Sequence, residues 1–320
     1  MVNTYKPEGM ISQSAKNREY LYGGRQALER AMLDGAILES TALLCDGDMN
    51  LHIDLHGITG IMPREEVVYY RDGEEVKDIA IITRVGKPTC FKVLSIEETN
   101  GRTVAYLSRR QAQIECMNNF VADLIPGDII CSRVTHLEGF GAFVDIGCGV
   151  IALLTVDSIS VSRFSHPRDR LFPGMTINTV IKSIDEEKGR IFVSMRELLG
   201  TWEENAALFC QGQTGAGIIR SVESYGVFVE LTPNLAGLAE LRDDMPEIFD
   251  KESCGKLAAV YIKSIIPERM KIKLVLIDSY KGEASMPKLN YFVDCDKVTH
   301  IDRWLYSPTV CNKIIETVFE

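Results

Sequence analysis

Three repeated small β-barrels in a mainly β chain are what this sequence predicts, on three observations: a motif that recurs, short runs of alternating apolar and polar residues, and glycines that punctuate those runs. The recurrence lies between Arg133 to Ile146 (RVTHLEGFGAFVDI) and Arg220 to Leu231 (RSVESYGVFVEL), around a shared aromatic-Gly-small-Phe-Val-acid core. Ile181-Lys182-Ser183-Ile184 returns as Ile262-Lys263-Ser264-Ile265 at nearly the same distance from that core, so the repeated unit is a whole domain. Gly141 to Ile146 and Ile191 to Met195 alternate as half-buried strands do, with Gly127, Gly139, Gly147, Gly174 and Gly189 between the runs.

Taken in order, residues 1–32 form a lead-in segment. Gly24 to Leu33 (GRQALERAML) has helix-forming composition, with Leu28, Met32 and Leu33 spaced to pack as one face. Residues 33–116 hold a degenerate copy of the barrel: Asp46 to Leu55 (DGDMNLHIDL) stands for the aromatic strand, with Met49 and His52 in place of the two rings, and Gly60-Ile61-Met62-Pro63 for the turn that follows. Residues 124–200 are the best-preserved copy. Thr201 with Glu204 three residues on is a capping box, which predicts a short helix leading to the third copy at residues 207–280. Residues 281–320 belong to no repeat and read as a hairpin around Asp294 to Lys297, then Pro308 and a terminal helix. The polar cluster His300, Asp302, Arg303, Trp304 and Tyr306 reads as a structural motif or a contact surface.

Composition bounds the function classes. At 320 residues with 46% hydrophobic residues, the chain can bury several small cores. Its first twenty residues lack the unbroken apolar stretch of a secretory leader, and no run approaches 18 apolar residues, so a cytoplasmic location and no membrane are expected. Nine cysteines without a C-x-x-C pair fit reduced, buried thiols and no zinc site, and no His or acid spacing matches a metal motif. The formal charge of −10 argues against a protein that coats duplex nucleic acid, which is bound by neutralising its backbone. Single strands remain open to it, because each base stacked on an aromatic side chain contributes roughly 1–3 kcal/mol.

Val134 to Ile146, Ser165-His166-Pro167, Pro173-Gly174-Met175 and Gly189 to Arg196 (GRIFVSMR) together resemble the S1 RNA-binding domain family, across the whole middle copy. With Trp202-Glu203-Glu204 and the third copy, residues 33 to 280 are similar to the tandem repeats of bacterial ribosomal protein S1. The resemblance implies three tandem five-stranded OB-fold barrels joined by short helices, with a small α+β C-terminal segment. It also implies that the second and third strands of each barrel expose aromatics to single-stranded RNA, with a basic residue from the last hairpin at the backbone.

Carried over residue by residue, Phe140 and Phe143 match the stacking aromatics of the middle copy, Asp185 the polar acid, Arg190 the basic partner and Arg196 the closing residue. The family's Gly-Leu-Leu-His turn is here Ala152-Leu153-Leu154-Thr155. Tyr225, Phe228 and Lys271 match in the third copy, where Glu240 takes the histidine position and Ile266 the acid's. A carboxylate at Glu240 would repel phosphate. In the first copy Arg102 and Arg109-Arg110 survive and Pro63 replaces the histidine, which points to a structural or protein-binding role.

Two aromatics three apart, next to a turn, can reach one barrel face and offer a sandwich for successive bases with little sequence preference. Arg190 and Arg196, with Lys182 if it shares their side, would contact two or three phosphates. The plain alternatives are that Phe143 is a core residue and that Arg190 is a solvated hairpin charge paired with Asp185 or Glu187. The expected function is non-catalytic binding of single-stranded RNA, mRNA in translation, with the small ribosomal subunit as a further partner and no cofactor. The rival is a docking scaffold, since OB barrels also bind proteins. An enzyme would need a nucleophile, base or metal constellation that the sequence does not show.

Overall fold

A computed structural model describes residues 5–70, 75–99, 101–185, 187–240, 253–283 and 289–320. Three closed five-stranded barrels follow one another, and the chain divides into two compact units: Met1–Leu124 with Cys131–Arg133 and Asp145–Ile151, and the remainder. Among the described residues no helix is long and apolar enough to cross a membrane.

In the first unit, helices α1 (Ala15–Tyr22) and α2 (Gly24–Leu33) precede strands β1 (Leu38–Cys45), β2 (Leu51–Asp54) and β3 (Thr59–Met62). Helix α3 (Asp78–Ile82), strands β4 (Pro88–Thr99) and β5 (Arg102–Ser108) and helix α4 (Arg109–Asn119) complete it. The Ser14 and Ser108 hydroxyls cap α1 and α4 by accepting the Asn17 and Gln111 backbone N–H groups at 3.1 and 2.9 Å. Gly24, at φ +70°, lets the chain turn between the first two helices. Helix α2 buries Leu28 and Ala31 against a core that includes Leu38, Leu51, Ile53, Phe91 and Leu107. Leu33, expected on the packed face, is 81% exposed, because it ends the helix and the chain turns away at Asp34.

A buried ionic joint sits in this unit. The Glu8 carboxylate accepts from the Arg109 Nε at 2.7 Å, from the Cys90 N–H at 3.0 Å and from Arg84, while the Glu8 N–H donates to Asp145 Oδ2 at 2.7 Å. Burial alone would raise the Glu8 carboxyl, but Arg109 and Arg84 outweigh it and hold it at about 2. Burial first, and the Glu8 charge second, push Asp145 up to about 7. The depressed group stabilises the fold above its ordinary value of 4.5, and that contribution is lost as pH falls towards 2. The raised group acts in reverse: its contribution is complete below its ordinary 3.8 and is lost as pH rises through about 7. In urea titrations of the full chain followed by α4 amide signals, Glu8→Gln therefore flattens the acid limb of the pH profile and, by removing the charge that helps to raise Asp145, shifts the limb near pH 7 to lower pH. An unaltered acid limb would contradict this assignment.

The middle barrel contains β6 (Ile129–Glu138), β7 (Gly141–Gly147), β8 (Val150–Thr155), β9 (Thr176–Asp185) and β10 (Arg190–Ser194), in the order β10-β8-β7-β6-β9, with helix α5 (Val156–Ile159) after β8. Helix α6 (Trp202–Ala206) follows, and Thr201 and Glu204 form its capping box reciprocally. The third barrel, in the order β11-β12-β13-β15-β14, is made of β11 (Thr214–Glu223), β12 (Gly226–Thr232), β13 (Leu235–Ala239), β14 (Lys256–Ile266) and β15 (Lys271–Glu283).

The C-terminal segment differs from expectation. Among its described residues the strands are β16 (Arg303–Leu305) and β17 (Glu316–Val318), paired antiparallel, and no helix follows Pro308. Trp304 and Tyr306, two apart and therefore on one side of a strand, are both drawn into the third barrel's core cluster, which selects an extended backbone there. The Tyr306 hydroxyl donates to the Asn234 carbonyl, the Tyr291 hydroxyl accepts the N–H of Asn178 in the middle barrel at 2.9 Å, and His300 Nδ1 meets Asp128 at 2.8 Å. The segment thus straps the middle barrel to the third within the second unit.

Cysteine burial also departs from the sequence reading. All nine are free, but Cys90, Cys116 and Cys148 alone are buried, while Cys210 and Cys254 are exposed.

Candidate nucleic-acid interface

The repeated motif folds the same way twice because alternation assigns each residue to a side. Ala142 and Val144 of β7, and Val227 and Val229 of β12, point into their barrels and are fully buried. Phe143 and Phe228 therefore face outward and are half-buried, which removes the reading of Phe143 as a core residue. The motif glycine has a steric cause: a Cβ on Gly141 would lie 2.4 Å from the Leu154 carbonyl oxygen, and one on Gly226 2.6 Å from that of Ala239.

The turn aromatics stand free, with Phe140 55% and Tyr225 61% exposed. Phe140 and Phe143 have ring centroids 6.0 Å apart at 90°, and Tyr225 and Phe228 repeat this at 6.2 Å and 90°. This edge-to-face contact is the one that ring quadrupoles favour. One face of Phe143 is instead stacked by His136 at 6.4 Å and 22°.

The cations are placed unequally. Arg190 opens β10, exposed and in register with Asp185. Asp185 accepts the Lys188 N–H at 3.0 Å, which shapes the hairpin turn and holds its carboxyl below the usual range. Lys182 occupies a bulge in β9, donating to Ser158 Oγ at 3.1 Å and lying 3.6 Å from Asp157. Arg196 is occupied: its guanidinium donates to Glu197 at 3.1 Å, the Asp157 carbonyl at 3.2 Å and Thr317 Oγ1 at 3.0 Å, and lies over the Trp304 ring. It holds the C-terminal strap, so the group read as a phosphate contact is already coordinated. In the third barrel Lys271 is exposed at the start of β15, in register with Ile266. Glu240 there pairs with Lys263 and Lys273 at 3.6 and 3.5 Å, so its charge is offset within the face.

The first barrel has His52 at the position of the second ring, 3.1 Å from Asp46, and Met49 at φ +65° against Cys45. Sequence reasoning missed its outward ring, Tyr106, which the ladder brings into register with Ile61 and through it with His52.

The acid that closes the motif was also given no role. Asp145 accepts the Gly147 and Gly149 N–H groups at 2.8 and 3.0 Å in the joint around Glu8. Glu230 takes a two-pronged contact from Arg170, both at 2.7 Å, and a further one from Arg220 at 2.7 Å. In both copies the alternation turns the acid outward, and neighbouring structure then covers it.

Among the described residues no group of His, Cys, Asp and Glu is arranged to hold a metal ion.

Residues 123–196 match the S1 RNA binding domain family. The chain is similar to the small ribosomal subunit protein bS1 of Rhodopseudomonas palustris, 28% identical over 239 residues that cover 73% of this chain and 40% of that protein. It is 30% identical to the bS1 of Leuconostoc lactis over 235 residues, covering 70% of this chain and 52% of the relative. With the bS1 of Staphylococcus saprophyticus it shares 32% identity over 163 residues, 49% of this chain and 41% of the relative. The chain thus spans about half the length, or less, of these curated relatives.

Proposed function

We propose, for a chain that belongs to an S1-like family and carries an S1 RNA-binding domain at residues 123–196, that the middle barrel binds single-stranded RNA with little sequence preference. The observation that carries this reading is the uncovered Phe140 ring beside the outward Phe143. Bases stack on these rings, and because every base has a π-face, sequence matters little. Arg190 meets the backbone and Lys182 adds charge, whereas Arg196 serves the strap. The third barrel, with Tyr225, Phe228 and Lys271, is a second and weaker site, because Glu240 offsets two of its lysines. We assign the whole a binding rather than a catalytic task, on mRNA in translation and in association with the small ribosomal subunit, by analogy with the bS1 relatives.

The test is a fluorescence-anisotropy titration of a labelled, unstructured RNA of roughly 12 nucleotides, long enough to fill an OB-type site, at two salt concentrations and against a duplex of the same length. Binding of the single strand in preference to the duplex is expected. Two or three phosphate contacts at about −0.7 each set a log–log salt slope of roughly −1.4 to −2.1. Absence of binding by the folded protein would sink the reading and leave the barrels as protein-docking modules.

A further inference from the structure

The ladder extends the candidate surface beyond the two motif aromatics. The Val156 N–H donates to the Phe140 carbonyl at 2.9 Å, which pairs these residues across β7 and β8 and brings Phe143 opposite Leu153 three residues further along. Leu153 is in register with Phe192 of β10, and Phe192 with Ser183 of β9. Ile191 and Val193 are buried in the barrel, so Phe192 faces outward, half-buried, with Arg190 two residues before it on the same side. Phe143, Leu153 and Phe192 therefore form a row across three neighbouring strands, its two rings roughly 10 Å apart from the spacing of adjacent strands.

The other barrels confirm that this is a defined position of the fold. In the first, His52, Ile61, Tyr106 and Ser95 occupy the same ladder row. In the third it holds Phe228, Leu238, Lys273 and Ser264. The position on the last strand is thus a tyrosine, a phenylalanine and a lysine in turn. In the middle barrel alone does it combine a ring with two motif aromatics.

We propose that Phe192 is a third base-stacking ring, so that single-stranded RNA crosses the middle barrel from Phe140 and Phe143 over Leu153 to Phe192, where Arg190 meets the phosphate beside the third base. The proposal rests on the RNA-binding reading given above and adds to it the path of the strand.

The test uses the full chain with unstructured oligouridylate. Phe192→Ser lowers affinity about 5- to 150-fold, the loss of one stacked base. Phe192→Trp keeps a ring and keeps binding; its indole lies on the outer face, unlike the buried Trp202 and Trp304, so its emission is quenched as RNA is added. Should Phe192→Ser fail to fold, the quenching of Phe192→Trp decides alone. If the wild type binds and Phe140→Ala weakens it, while Phe192→Ser is unchanged or Phe192→Trp is not quenched, this proposal falls and the RNA-binding reading stands. If the folded wild type binds no RNA, both fall.

Discussion

The double variant Phe140→Ala with Phe143→Ala loses about 2–6 kcal/mol of single-stranded RNA binding, the sum of two stacking contacts of roughly 1–3 kcal/mol each. Neither ring contributes to the barrel's interior, which is filled from the other side of β7 by Ala142, Val144 and Ile146, so the melting temperature changes little. Because the rings touch edge to face, the two losses need not add, and single variants measured beside the double one give the coupling. The salt slope stays as in the wild type, since no cation is removed. Affinity unchanged within a factor of two would remove the aromatic face from the site.

Glu230→Ala destabilises the second unit by about 3–5 kcal/mol, the cost of leaving a buried charge without its partner. Arg170 is fully buried and Glu230 2% exposed, and the same carboxylate also neutralises Arg220. Arg170 additionally donates to the Ser162 carbonyl at 3.4 Å and lies 4.7 Å from the Phe164 ring, contacts that fix the guanidinium but cannot discharge it. Urea unfolding followed by the emission of Trp202 and Trp304, both in the third barrel's core cluster, reads the loss directly. Replacing Arg170, Glu230 and Arg220 together with apolar residues of similar size restores much of it, because the penalty belongs to the uncompensated charge. A loss below about 1 kcal/mol for Glu230→Ala, in the range of exposed ion pairs, would mean that the joint is open to water.

This joint bears on function through geometry. Arg170 follows the middle barrel's His-Pro turn and Glu230 lies on β12, so the pair, with the strap from Tyr291 to Thr317, ties the two aromatic-bearing barrels into one unit.

The repeated motif, its strand periodicity, the capping box at Thr201 and the helix Gly24–Leu33 were legible in the sequence because each depends on residues a few positions apart, whose spacing determines local backbone geometry. The outward placement of Phe192 beside Arg190 was legible too, from the alternation of Ile191 to Met195. The fates of Arg196, Asp145 and Glu230 were not legible. Their partners lie far along the chain, Thr317 being 121 residues from Arg196 and Glu230 60 from Arg170. Local pattern says only that a side chain leaves the barrel. Whether it then meets water, a strap or a buried counter-charge is decided by what the tertiary fold lays over it, and a charge covered in this way needs its partner because leaving it unpaired there is costly.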